Sequence, residues 1–109
     1  MSVVLSEFEK EVLEAVKKIP QSRVSTYLAV ANAIGKPKAV RAVANAIGKN
    51  PWAPIVPCHR VIRSNGNIGG YTGGVEKKIA LLKKEGIVVK KGNILGFRDV
   101  LYLNIKIRK

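Results

Sequence analysis

Val24-Ser25-Thr26-Tyr27-Leu28-Ala29-Val30-Ala31-Asn32-Ala33-Ile34-Gly35-Lys36-Pro37-Lys38-Ala39-Val40-Arg41-Ala42-Val43-Ala44-Asn45-Ala46-Ile47-Gly48 is the stretch on which the fold turns. A short extended piece around Val24 leads to Ser25 and Thr26, either of which can cap a helix from Tyr27 to Ile34 that Gly35 ends. Pro37 suits the first turn of the next helix, whose body is expected from about Lys38 to Ile47, with Gly48 past its end. Two short helices separated by Gly35-Lys36-Pro37 have the proportions of a helix-turn-helix. The second helix is rich in alanine, and two readings stand. Alanine is the best helix former and lets helices pack closely; it also gives a thin side-chain layer that can bring a backbone near DNA while Arg41 projects.

On the amino-terminal side, Ser6-Glu7-Phe8-Glu9 has the pattern of a capping box. Phe8, Val12, Leu13, Val16 and Ile19 then recur at helical spacing until Pro20 stops the run. On the carboxyl side, Pro51, Pro54 and Pro57 forbid regular helix between Lys49 and Pro57, so a stiffened loop delivers Cys58 and His59. Val61-Ile62 is extended, Ser64-Asn65-Gly66-Asn67 is a turn, and Gly69-Gly70-Tyr71-Thr72-Gly73-Gly74 is a glycine-rich loop. A helix is expected over roughly Val75 to Glu85, ended by Gly86. Ile87-Val88-Val89, a turn at Lys90 to Asn93, Ile94-Leu95 and the alternating Leu101, Leu103, Ile105 and Ile107 predict hairpin-like strands. The fold class is therefore mainly α with small β elements, a single domain over residues 1–109.

Charge separates the chain into two unequal parts. Residues 1–14 hold four Glu (Glu7, Glu9, Glu11, Glu14) and one Lys, whereas residues 15–109 hold 19 basic side chains against three acidic ones, Glu76, Glu85 and Asp99. That excess fits a polyanionic partner, nucleic acid before an anionic membrane, with a solubilising lysine-rich surface as the plainer explanation. With one cysteine and one histidine, the chain can form neither an internal disulfide nor a four-ligand Cys/His zinc site, so no metal is expected. No apolar run reaches membrane-spanning length and the first residues lack a signal-peptide pattern; a cytoplasmic protein with a reduced thiol is expected.

A lone cysteine is often an inert small core residue. Cys58 differs by its setting between a proline-stiffened loop and His59-Arg60, where two potential cations favour thiolate over thiol. Neighbours in an extended segment point to opposite sides, so His59 cannot lie beside Cys58 unless the backbone turns sharply. A water bridging His59 to the thiol would solve this, and of the acidic residues beyond position 15, Glu85 is best placed to hold the other ring nitrogen. The glycine loop lacks the Gly-Lys-Ser/Thr ending of a nucleotide P-loop. Its glycines can instead let backbone amides approach a flat ligand walled by Tyr71 and Thr72, unless the segment is simply a turn.

Pro57-Cys58-His59-Arg60-Val61, with Asn50-Pro51 upstream and Gly70-Tyr71-Thr72-Gly73-Gly74 downstream, closely resembles the O6-alkylguanine-DNA alkyltransferases, the methylated-DNA–protein-cysteine methyltransferase family. Val24-Ser25-Thr26-Tyr27 and Pro37-Lys38-Ala39-Val40-Arg41-Ala42-Val43 match as well, so the resemblance spans roughly residues 6 to 86. It implies a winged helix-turn-helix-like catalytic domain that flips an alkylated guanine out of double-stranded DNA, since O6 is otherwise locked in the stack. By the resemblance, Cys58 takes the alkyl group, His59 receives the thiol proton through water, Glu85 orients His59, and Asn50 holds the loop near the thiol. Tyr27 and Arg41 fall on positions that turn the phosphate and fill the vacated stack; Ala42 and Ala46 fall on small residues that admit the helix to the minor groove. Ser64 matches a phosphate contact, and Arg60 is grouped with the DNA-binding residues. Tyr71, Thr72, Val61, Pro54 and Lys78 fall on or beside the guanine pocket. A thioether product has no good leaving group, so one turnover, no cofactor and a monomer on DNA are the implied behaviour.

Ala53-Pro54 departs from relatives that carry the proline one residue earlier, and Asn45 stands where a glycine is common. The family's amino-terminal domain is expected to be absent, a length shared with the alkyltransferase-like proteins, which bind such lesions without repairing them. Those usually carry tryptophan or alanine at the cysteine position, where this chain has Cys58. The acidic first helix is expected to face away from the duplex.

Overall fold

Ser6 opens the chain's first helix with the expected reciprocal cap: its Oγ accepts from the Glu9 amide at 3.1 Å, and its own amide donates to Glu9 Oε1 at 2.9 Å. The computed structural model describes residues 5–50, 55–71 and 74–106. Helix α1 runs Glu7–Lys17 and ends before Pro20; β1 is Ser25–Thr26, α2 Tyr27–Ala33 and α3 Val40–Gly48. A 3-10 turn at Cys58–Arg60 leads into β2, Val61–Ile62, followed by α4 at Val75–Lys84, the hairpin β3 (Val89–Lys90) and β4 (Asn93–Ile94), and α5 at Phe97–Val100. The architecture is mainly helical with two small two-stranded sheets.

The choice between Ser25 and Thr26 is settled by geometry. Thr26 Oγ1 accepts from the Ala29 amide at 3.0 Å and caps α2, while Ser25 is fully buried in β1. Strand β1 pairs in parallel with β2, Ser25 opposite Val61 and Thr26 opposite Ile62, which ties the helix-turn-helix to the cysteine segment. Successive residues of a strand point to opposite faces, and β2 uses this to join two cores. Val61 packs with α1, α2 and α3, among Val12, Val16, Val30 and Val43. Ile62 packs on the other side with Val24, Ile68, Leu82, Ile87 and Ile94. Each such aliphatic side chain contributes about 1.5–3 kcal/mol on burial.

Two expectations are corrected. Helix α3 begins at Val40, not near Lys38. Pro37 lies in a preceding turn closed by the Ala39 amide on the Lys36 carbonyl, and no side chain caps the helix. The alternation from Leu101 onward does not make a strand. After α5 the chain forms one bridge, Leu101 to Val24, with the Tyr102 amide on the Val24 carbonyl at 2.7 Å. Beyond it Leu103 is 60% exposed, because no second strand lies alongside to use the pattern; Ile107 lies outside the described residues. The hairpin β3–β4 forms as expected and packs on the turn before it. The Ile94 amide donates to the Gly66 carbonyl and the Ile68 amide to the Gly92 carbonyl, both at 2.9 Å. No helix among the described residues is long and apolar enough to cross a membrane.

Candidate functional site

Pro57 sets up the turn that the site requires. Its carbonyl accepts from the Arg60 amide at 2.9 Å, winding Cys58–Arg60 into a single 3-10 turn. With three residues per turn instead of an extended alternation, Cys58 and His59 can both turn inward. Cys58 is 3% exposed and His59 2%. Asn50, at the end of α3, donates from Nδ2 to the Val56 carbonyl at 2.9 Å and anchors the strand of chain that enters the turn.

His59 Nε2 stands 2.9 Å from Glu85 Oε2. Glu85 sits at the C-cap of α4 and receives Arg60 twice, Nε on Oε1 at 2.9 Å and Nη2 on Oε2 at 2.7 Å. Burial alone would push the Glu85 carboxyl up; the hydrogen bonds from Arg60 and His59 outweigh it, and the net shift is downward. Burial lowers the His59 pKa against the pull of Glu85, so the imidazole is neutral at pH 7. An ionised Glu85 can only accept, which assigns the proton to Nε2 and leaves Nδ1 as the basic nitrogen. Nδ1 is buried and has no hydrogen-bond partner among the described residues.

A cleft of about 580 Å³ opens between α3, the start of α2 and the glycine segment, with Cys58 in its wall. Tyr27, Arg41, Ile47, Arg63 and Tyr71 line it too. Burial, then the adjacent Cys58, pushes the Tyr71 phenol up to about 12, so it stays a neutral hydroxyl. That buried hydroxyl lies beside the sulfur without completing a well-formed hydrogen bond. Lys78 works from behind the wall. Fully buried on α4, its Nζ donates to the carbonyls of Val61 at 2.8 Å, Ile68, and Gly70 at 3.2 Å, and lies 6.0 Å from the Tyr27 ring centroid. Burial lowers its pKa to about 8.

The structure thus brings Cys58, His59, Glu85 and Asn50 together and places Tyr27, Arg41 and Tyr71 around one cleft, while three expectations need correction. Arg60 is not a free cation for a polyanion, because its guanidinium is spent on Glu85 and on the Ile19 carbonyl at 2.9 Å. Val61 does not line the cleft: its side chain is in the core and its carbonyl is held by Lys78. Lys78 stands beside the pocket, as expected, and braces its wall from behind. Ala46 is 4% exposed and belongs to the core, so the outer face of α3 is Arg41, Ala42 and Asn45. Ser64 is exposed in the turn after β2; Thr72 and Pro54 lie outside the described residues. Arg63 is the lining residue that motif reading missed. Its only sequence signal is a basic side chain at the exit of a strand that follows the cysteine.

Residues 7–87 match the family model for the 6-O-methylguanine DNA methyltransferase DNA binding domain, and the chain belongs to that family. It is 52% identical over 81 residues to a methylated-DNA–protein-cysteine methyltransferase of Methanosarcina acetivorans, covering 74% of this chain and 52% of that one. The chain spans about half or less of the length of the first curated relatives it matches. Among solved structures it is similar to the Mycobacterium tuberculosis OGT in complex with DNA, with TM-score 0.74 and 44% identity, over 77% of this chain and 52% of that one. It is also similar to Schizosaccharomyces pombe Atl1 in complex with damaged DNA containing O6-carboxymethylguanine, with TM-score 0.77 and 30% identity, over 92% of this chain and 98% of that one.

Proposed function

We propose that this chain repairs double-stranded DNA by moving an alkyl group from the O6 of guanine onto Cys58, once per molecule. The observation that carries this reading is a buried thiol in the wall of a cleft, next to a neutral histidine whose tautomer is fixed by an ionised glutamate. The exposed face of α3 would enter the minor groove with Arg41, Ala42 and Asn45, and Arg41 would take the place of a flipped base. Tyr27 and Ser64 would meet the backbone phosphates. The flipped guanine would lie against Tyr71, with Thr72 and Pro54 as further pocket residues.

His59 Nδ1 would accept the Cys58 proton through a water, making the thiolate that attacks the alkyl carbon. The carbon–oxygen bond breaks with its electrons on guanine, which takes up a proton at N1. A neutral Tyr71 hydroxyl beside the sulfur can donate to the thiolate before it attacks. Lys78, by holding the carbonyls of Ile68 and Gly70, would keep the pocket wall in place for this displacement. No step calls for a metal or cofactor. A single domain acting as a monomer in the cytoplasm is part of the proposal, to be checked by sedimentation of the free and DNA-bound protein.

Intact-mass measurement after incubation with a duplex containing O6-methylguanine tests it. One added methyl group, absent in Cys58→Ala, is the expected result. A second reading, lesion binding without repair, rests on the likeness to Atl1, at lower identity than to the methyltransferase relatives. Tight, lesion-selective binding with no adduct would decide for that one.

A further inference from the structure

Arg63 is the lining residue with no task in the chemistry above. It leaves β2 on the cleft side, is exposed, and forms no hydrogen bond or ion pair among the described residues. Its Nε and the Tyr27 hydroxyl flank Gly69, each 3.5 Å from the point where a Cβ would stand. The two polar groups therefore share one rim of the cleft, on either side of Gly69. Two of the described lining residues, Arg41 and Arg63, are cationic and none is acidic. Arg41 lines the cleft from α3, and Arg63 from the position after β2, the strand into which the cysteine turn leads. Its charge reaches deep: burial raises the Tyr27 phenol and Arg63 pulls against it, and burial lowers Lys78 with Arg63 adding to the effect.

A guanidinium left free at the edge of a partly apolar cleft is a recognition element for a planar oxyanion, which it can hold by two parallel hydrogen bonds. We propose that Arg63 makes the cleft charge-selective, favouring guanines whose O6 substituent ends in a carboxylate over those with a neutral alkyl group. The inference rests on the proposed reaction and deepens it by naming a substrate class, of which O6-carboxymethylguanine is the simplest member. In transfer from that base, the carboxylate sits on Arg63 while its methylene carbon faces Cys58. The sulfur–carbon bond forms as the carbon–O6 bond breaks; the proton lost from the thiol balances the proton gained by guanine, leaving S-carboxymethylcysteine. A neutral O6-methyl group has nothing to offer Arg63 and is held by shape alone.

Two measurements separate this inference from the reaction on which it rests. In the first, Cys58→Ser protein, which cannot complete transfer to sulfur, is titrated with duplexes containing O6-methylguanine, O6-carboxymethylguanine or guanine. Binding should prefer the carboxymethyl lesion, and adding Arg63→Gln should reduce the carboxymethyl-to-methyl affinity ratio about tenfold, with Arg63→Lys retaining part of it. In the second, single-turnover transfer is followed by intact mass for Arg63→Gln in the otherwise native chain; the ratio of the carboxymethyl to the methyl rate should fall about tenfold. Equal losses on both lesions and on plain DNA, with a shallower salt dependence, would assign Arg63 to a backbone phosphate and overturn the inference. An unchanged ratio would overturn it as well. Absence of transfer from either lesion would defeat the repair reaction alone, since the affinity ratio reads Arg63 independently.

Discussion

His59 Nε2 and Glu85 Oε2, 26 positions apart in the chain, meet at 2.9 Å because the turn at Cys58–Arg60 packs directly against α4, whose C-cap is Glu85. Arg60 holds the same carboxylate from the other side, so one acidic group fixes two of the three residues in the cysteine turn. Replacing Glu85 by Gln should slow alkyl transfer about 100-fold, because the amide no longer dictates which imidazole nitrogen carries the proton. The acidic limb of the rate profile should also move to lower pH, since the upward pull of Glu85 on His59 is lost while Arg60 remains beside it. A loss of rate with an unmoved limb would mean that Glu85 acts on stability only.

Acid should weaken both activity and fold. The folded His59 pKa lies below its ordinary value, so on acidification the unfolded chain takes up a proton first and stability falls as pH drops through about 6.5. Glu85, with a depressed folded pKa, adds stability above its unfolded value and withdraws it as pH falls through the folded one. Urea midpoints measured from pH 8 down to pH 4 should decrease throughout, with the His59→Gln protein losing less between pH 7 and pH 5.5.

Lys78 is the least replaceable side chain of the pocket wall. Lys78→Met keeps the length but leaves the carbonyls of Val61, Ile68 and Gly70 without their donor. A loss of about 3 kcal/mol is expected by chemical denaturation. Its folded pKa near 8, against an unfolded value near 10.5, means the unfolded state binds the extra proton between them. The native protein should therefore gain stability from pH 8 to pH 10, and Lys78→Met should lack that rise.

Arg41 offers a different separation. It is exposed on α3 at the cleft mouth, so Arg41→Ala should leave the thermal midpoint within about a degree of the parent. Transfer from lesion-containing duplex should slow about tenfold or more, while reaction with the free base O6-benzylguanine stays unchanged. Equal rates on lesion duplex before and after substitution would remove Arg41 from the flipping step.

Glycines 66 and 70 should respond in opposite ways. Gly66 has φ +89°, and a Cβ there would stand 3.3 Å from the Phe97 ring, so Gly66→Ala should cost about 1–2 kcal/mol. Gly70 has ordinary φ and open space, and Gly70→Ala should be near neutral in stability. Melting curves of the two variants give the comparison directly.

Local chemistry sufficed for the elements whose signals are short-ranged. The Ser6–Glu9 box, the glycine stops after α2 and α4 and the Lys90–Asn93 turn are each decided within a few residues, and each stands where the sequence puts it. The pairing of Cys58-His59 with a distant Glu85 was also legible, because few carboxylates were candidates. Only the tertiary structure decided the direction of each side chain. Ala46 and Val61 have the residue types of an interface but face the core; Arg60 and Lys78 have its charge but are consumed by an internal carboxylate and three carbonyls. The carboxyl-terminal alternation had strand periodicity without a partner strand to pair with, and a strand needs both. Arg63 shows the converse: only a basic residue at a strand exit marks it locally, and its place on the cleft beside Tyr27 comes from how β2 and the glycine segment pack. Residue type sets what a side chain can do, whereas burial and the choice of partner are properties of the packed chain, and they determine which of those capacities are used up inside the protein and which are left for a ligand.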